Sequence, residues 1–209
     1  MLRESCYDKT ECLCIERDQG WPVVNKSASV SIPVVAALVG RRIDAPTEPE
    51  RFPLTRTTSV RQALGNLLRN EAIDVLVCSA ACGADLIALD LAIASGVRCR
   101  IVLPYSATRF RESSVIDRPG DWGPLYDRII AAVDAVGDLL VLNESADDTA
   151  AFFHVNETII REARALAEPN QPLAIIVWDG IAHGDDDATA QFHKLATDAG
   201  FIERTVSTC

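Results

Sequence analysis

The sequence lacks the marks of most chemically specialised classes. The chain has 7 Cys, but no pair has the C-x-x-C spacing and no Cys/His cluster has the spacing of a zinc site. No metal site is therefore expected, and the thiols read as free and mostly buried in a reducing compartment. There is no G-x-G-x-x-G and no phosphate loop ending in Gly-Lys-Ser/Thr, and no cofactor is expected. No apolar run approaches the length of a membrane span. Arg3, Glu4, Asp8 and Lys9 precede no apolar stretch, so the start does not read as a secretory signal. The expected location is cytoplasmic, without a membrane partner. No Ser-His-Asp or Cys-His grouping is recognisable, and His154, His183 and His193 read as surface or core histidines. Positive charge is also scarce. Lys and Arg total 20 against 30 Asp and Glu, a formal net charge of -10. With a sequence pI near 4.7, long-range steering of DNA or RNA is disfavoured, and nucleic acid is not expected as a partner.

What is present is an ordinary globular balance, 48% hydrophobic and 24% charged over 209 residues, enough for one large domain. Residues 1–32 mix charge, cysteine and small polar residues without a sustained period and read as an N-terminal tail or linker. From residue 33 a rhythm begins, and 33–209 reads as one domain. Apolar runs over 33–39, 73–78, 99–103, 138–142 and 173–178, with a sixth over 202–206, are continuous rather than alternating. Such runs suit strands covered on both faces. Between them lie stripes at helical spacing, among them Val60, Leu64 and Leu68; Leu86, Leu89 and Ile93; Leu125, Ile129 and Val133; Phe152, Val155, Ile159 and Leu166; and Phe192 with Leu195. Strand alternating with helix predicts a three-layer α/β/α, Rossmann-like fold around a mostly parallel sheet.

In such a fold ligands bind beyond the carboxyl ends of the strands. The loops after the apolar runs are therefore where candidate residues belong. After the first run comes Gly40-Arg41-Arg42, a turn in which either arginine could fork onto a phosphate or carboxylate, or simply pair with Asp44. After the second comes Ser79-Ala80-Ala81-Cys82-Gly83-Ala84-Asp85, whose small residues admit a ligand to the backbone at a helix start. Asp85 could meet a ribose hydroxyl or complement its own helix. Pro104-Tyr105, Arg109-Phe110 and Trp122 lie in the long connection after the third run, readable as an aromatic lid or as packed surface. Asn156 and Glu157 sit near a helix start. Asn156 is a candidate ligand contact or cap, and Glu157 the nearby carboxylate that could serve as a general base. Asp179-Gly180 and Gly184 through Thr189 come after the fifth run; Asp185, Asp186 and Asp187 favour the helix dipole there but repel a bare phosphate.

The order of Val39-Gly40-Arg41-Arg42-Ile43-Asp44-Ala45-Pro46 with Arg51-Phe52-Pro53, Ser79 to Asp85, Val102-Leu103-Pro104-Tyr105, Asn156, and Val177-Trp178-Asp179-Gly180 with Gly184 and Thr189-Ala190, resembles the SLOG superfamily. The resemblance spans about residues 33–206. It implies a Rossmann-like domain that holds a nucleotide or nucleotide-derived small molecule, sensed in a signalling or defence setting or cleaved at its N-glycosidic bond. It implies ligand contacts at Gly40, Arg41, Ser79, Gly83, Asp85, Pro104, Asn156, Asp179, Gly184 and Thr189. Arg42, Ala81, Cys82 and Gly180 are candidates within the same loops. The cleaving members carry a P-G-G-x-G-T-x-x-E loop, whereas Ala182 to Thr189 here replaces its glycines with acids, and no Glu occurs after Thr189 at that spacing. Sensing is thus expected ahead of catalysis, for which Asp85 and Glu157 are the candidate acid/base residues. Candidate protein partners are an effector or a second copy of the chain.

Overall fold

A computed structural model describes residues 32–47, 49–145 and 150–209. The expected tail, with Trp21, Cys6, Cys12 and Cys14, lies outside the described residues apart from Ile32.

Among the described residues six strands form one sheet: β1 (Val35–Gly40), β2 (Val75–Cys78), β3 (Arg98–Leu103), β4 (Leu139–Val141), β5 (Leu173–Trp178) and β6 (Ile202–Ser207). Every pairing is parallel and the spatial order is β4-β3-β2-β1-β5-β6. The helices between them are α1 (Thr57–Asn70), α2 (Ala84–Ala94), α3 (Ala107–Ser114), α4 (Gly123–Asp134), α5 (Ala151–Ala167) and α6 (Ala188–Asp198). This is the Rossmann-like three-layer arrangement that the alternation of apolar runs and helical stripes predicts.

The strands alternate their side chains between two cores, because successive residues of a strand point to opposite faces. From β1, Ala36 and Leu38 join the core shared with Leu64, Leu86 and Ile129 of α1, α2 and α4. Val35, Ala37 and Val39 join the core shared with Val155, Ile159 and Phe192 of α5 and α6. Both faces of β1 are thus sealed, which is why its sequence is apolar without a break. Strand β2 begins two residues into the 73–78 run, and just before it the Asp74 carboxylate accepts from the Val34 N–H at 2.9 Å.

Two local features depart from the helical stripes. Helix α3 forms inside the long connection after β3, where Ser106 caps it by accepting a hydrogen bond from the Arg109 N–H at 3.4 Å. Phe152, on the expected core stripe of α5, is 38% exposed. It sits in the first turn of the helix, and the stripe becomes buried only from Val155 onward.

Strand order places the turn of topology between β1 and β5. The chain runs outward from β1 to β2, β3 and β4, then returns through α5 to β5 on the other side of β1. The loops leaving β1 and β5 therefore diverge to opposite faces and open a crevice at the carboxyl rim, the usual ligand position in open α/β sheets.

Candidate functional site

A cleft of about 380 Å³ opens at that rim. Its walls come from the loops after β1, β2 and β5 and from the starts of α5 and α6. Of the residues singled out from sequence, Gly40, Arg41, Arg42, Ser79, Ala81, Asp85, Asn156 and Thr189 line it. Cys82, Gly83, Pro104, Asp179, Gly180 and Gly184 do not lie on its wall, and Glu157 lines a different groove with Arg161, Arg164 and Gln171.

Two glycines bring the walls together. A Cβ on Gly40 would lie 2.3 Å from the Ala84 Cβ and 2.7 Å from the Val177 Cβ, so a bare backbone here lets α2 start against the ends of β1 and β5. Gly83 has φ 98°, and a Cβ there would lie 2.8 Å from the Arg41 carbonyl oxygen. The next residue's N–H, from Ala84, donates to that same oxygen at 3.2 Å. Gly83 thus serves loop-against-loop packing.

Arg41 is committed inside the protein. It is 8% exposed, and its guanidinium donates to Asp179 at 3.0 Å, Asp187 at 2.7 Å and the Ile181 carbonyl at 2.6 Å. Arg41 lines the cleft, and within the protein its fork holds the loop between β5 and α6. Asp179, expected to face a ribose or base, is instead held by Arg41 and by His183 at 2.5 Å. Asp187 caps α6, accepting from the N–H groups of Thr189 and Ala190 at 3.0 and 3.1 Å. Burial works against both carboxylates, yet the hydrogen bonds from His183 and Arg41 hold Asp179 below the ordinary range, and those from Arg41 and the His183 N–H do the same for Asp187. Burial also opposes the Arg41 charge, and its two acidic partners outweigh that, Asp187 foremost.

Asn156 is likewise structural. Its amide donates to the Ala188 carbonyl at 2.7 Å and the Gln191 side chain at 2.6 Å, tying α5 to α6. Gly180 and Gly184 adopt φ of 83° and 85° with open space around them, so they turn the loop without approaching anything. The Pro104 carbonyl accepts from the Glu144 N–H at 2.7 Å. The aromatics after β3 pack inward rather than forming a lid: Tyr105, Phe110, Trp122 and Tyr126 are all buried.

Among the described residues, three buried polar atoms belong to residues of the wall and lack a hydrogen-bond partner: the Nε atoms of Arg42 and Arg51 and the Oδ1 of Asp85. Arg42 does pair through its terminal nitrogen with Asp117 rather than with Asp44. Asp44 instead accepts from the backbone N–H groups of Arg51 and Phe52 at 3.0 Å, folding the loop so that Arg51 reaches the cleft. Asp85 is 4% exposed, and burial raises its carboxyl to about 7 despite the Ala81 N–H, Arg42 and the Gly40 N–H. The sequence singled out neither Arg51, Arg118 nor Phe152 as a wall residue; Arg51 entered only within the Arg51-Phe52-Pro53 motif, Phe152 only on a core-facing helical stripe, and Arg118 not at all.

Among the described residues no helix is long and apolar enough to cross a membrane. No protein-family model and no curated protein matches the chain. Similar solved structures exist. DNA processing protein A from Helicobacter pylori, reported with a unique single-stranded DNA binding mode, is 16% identical with a TM-score of 0.50, over 86% of this chain and 67% of that one. DNA processing protein A (DprA) from Streptococcus pneumoniae is 16% identical with a TM-score of 0.41, over 84% of this chain and 59% of that one. The Helicobacter structure corrects two sequence expectations, that nucleic acid is no partner and that the occupant is a small nucleotide-derived molecule, sensed or cleaved. A protein whose reported partner is single-stranded DNA shares this architecture, and a net charge summed over a chain does not report how arginines are arranged at one rim. At this identity the likeness establishes the fold, a Rossmann-like α/β domain.

Proposed function

We propose that the cleft at the carboxyl rim binds single-stranded nucleic acid through its phosphate backbone. The observation that carries the reading is the pair of buried, unpartnered guanidinium Nε atoms of Arg42 and Arg51 on one wall. A buried donor without a partner costs roughly 1–3 kcal/mol, and a phosphate oxygen would remove that cost with a charge-assisted bond. The exposed ring of Phe152, also on the wall, adds a surface on which a base could stack. The single-stranded DNA reported for the similarly folded Helicobacter protein supports the same ligand class. Membership of the SLOG superfamily, suggested by the motif order, is part of this proposal.

The chain's charge of -10 limits the electrostatic contribution to these local contacts. Two phosphate contacts on a single strand give a slope of about -1.4 in log K against log salt. Fluorescence anisotropy with a labelled polythymidine strand, measured across salt, tests this. Arg51→Ala and Arg42→Ala are each expected to weaken binding and to flatten the slope by about 0.7. No binding at low salt, or an unchanged slope in both variants, would count against the proposal.

A further inference from the structure

Asp85 stands where an acid is out of place for such a ligand. It opens α2, lines the cleft, and is 4% exposed. Its Oδ2 accepts from the Ala81 N–H at 3.2 Å, while its Oδ1 is buried with no partner. An ionised carboxylate there would repel a phosphate approaching the nearby Arg42. A neutral one has a proton to donate.

We propose that Asp85 is a phosphate contact of the cleft, donating a hydrogen bond from its neutral carboxyl to a backbone oxygen of the bound strand and rejecting that strand when ionised. The assignment rests on the proposed function and adds to it a proton requirement.

The surroundings favour the neutral form. Burial dominates and lifts the carboxyl to about 7, against the opposing pull of the Ala81 N–H, Arg42 and the Gly40 N–H. The thiols next to it carry no charge: burial pushes up both Cys78 in β2 and Cys82 in the preceding loop. On α2 itself Asp90 is occupied by Arg61 from α1 and Arg128 from α4. Across the cleft, the loop before α6 contributes Asp186, Asp187 and His183; Asp187 is held by Arg41, and His183 is hydrogen-bonded to Asp179. His183 is an imidazole on the same wall, so the test must separate it from Asp85.

The experiment measures affinity for a rhodamine-labelled polythymidine strand at about pH 6 and about pH 8, at constant ionic strength, for the native chain and Asp85→Asn. A contact that requires a carboxyl titrating near 7 predicts roughly tenfold weaker binding at the higher pH. In Asp85→Asn the ratio is expected to fall to about one. A flat native profile overturns the assignment while leaving the cleft reading intact. A ratio that survives in Asp85→Asn assigns the titration to another group and also overturns it. Absence of native binding at the lower pH overturns the cleft reading and the assignment together. A second measurement needs no substitution: the Asp85 carboxyl carbon, followed by NMR, is expected to titrate at higher pH with the strand bound, by linkage. An unchanged or lowered midpoint contradicts the proposal.

Discussion

Replacing Arg41 by alanine tests whether this residue is a structural bolt or a ligand contact. Its guanidinium has three partners: Asp179, Asp187 and the Ile181 carbonyl. Both acidic side chains are nearly sealed from solvent, 6% exposed for Asp179 and 3% for Asp187. Removing the cation leaves two buried carboxylates and an orphaned carbonyl, and breaking a buried pair from one side costs about 3–5 kcal/mol. Asp187 keeps its bonds from the N–H groups of His183, Thr189 and Ala190, and Asp179 keeps His183. The lower end, about 3 kcal/mol, is therefore expected, equivalent to a fall in Tm of roughly 6–12 °C for a chain of this size. The pH dependence supplies a signature. Both carboxyls are held below their unfolded values, so the stability they contribute is present above about pH 4 and is lost as pH falls through their lower folded values. The deficit of Arg41→Ala should thus be largest at neutral pH and shrink in acid. Urea unfolding followed by circular dichroism between about pH 3 and 7 measures it. A loss under about 1 kcal/mol, or a loss of the same size at every pH, would refute the reasoning.

Two further predictions concern how the cleft is built. Gly40→Ala drives a methyl to 2.3 Å from the Ala84 Cβ, and overpacking of this kind is expected to cost about 3 kcal/mol in urea denaturation, with α2 displaced from the rim. A neutral effect would show that the contact is relieved cheaply. Asn156→Ala removes the amide that joins α5 to Ala188 and Gln191 and is expected to cost about 1–3 kcal/mol, with faster hydrogen exchange at the start of α6. Unchanged exchange there would show that α6 is held without it.

Much of the fold was legible because its signals are local. The runs at 173–178 and 33–39 are apolar at every position, since β5 and β1 are flanked by other strands and covered on both faces. The rim loops were legible for the same reason, since each begins where an apolar run stops. The roles of residues within those loops were much less so. Arg41 and Arg42 are adjacent and chemically identical, yet one is locked to Asp179 and Asp187 while the other leaves its Nε unpartnered. Arg51 reached the cleft only because Asp44 folds the intervening loop. Helix α3 began where a connection was expected, and Phe152 kept the spacing of a core residue while standing in a first turn at the rim.

The amino-acid sequence by itself determined the succession of strands and of every helix but α3, and which loops gather at the carboxyl rim, because hydrophobic periodicity acts over a few neighbouring residues. The tertiary structure alone decided which charges are spent and which are available. Arg41 meets Asp179 and Asp187 across 138 and 146 positions of chain, and the burial that raises the Asp85 carboxyl to about 7 comes from surroundings that several elements build together. Pairing and desolvation depend on distances in space, and composition adds up charge without regard to where it lies.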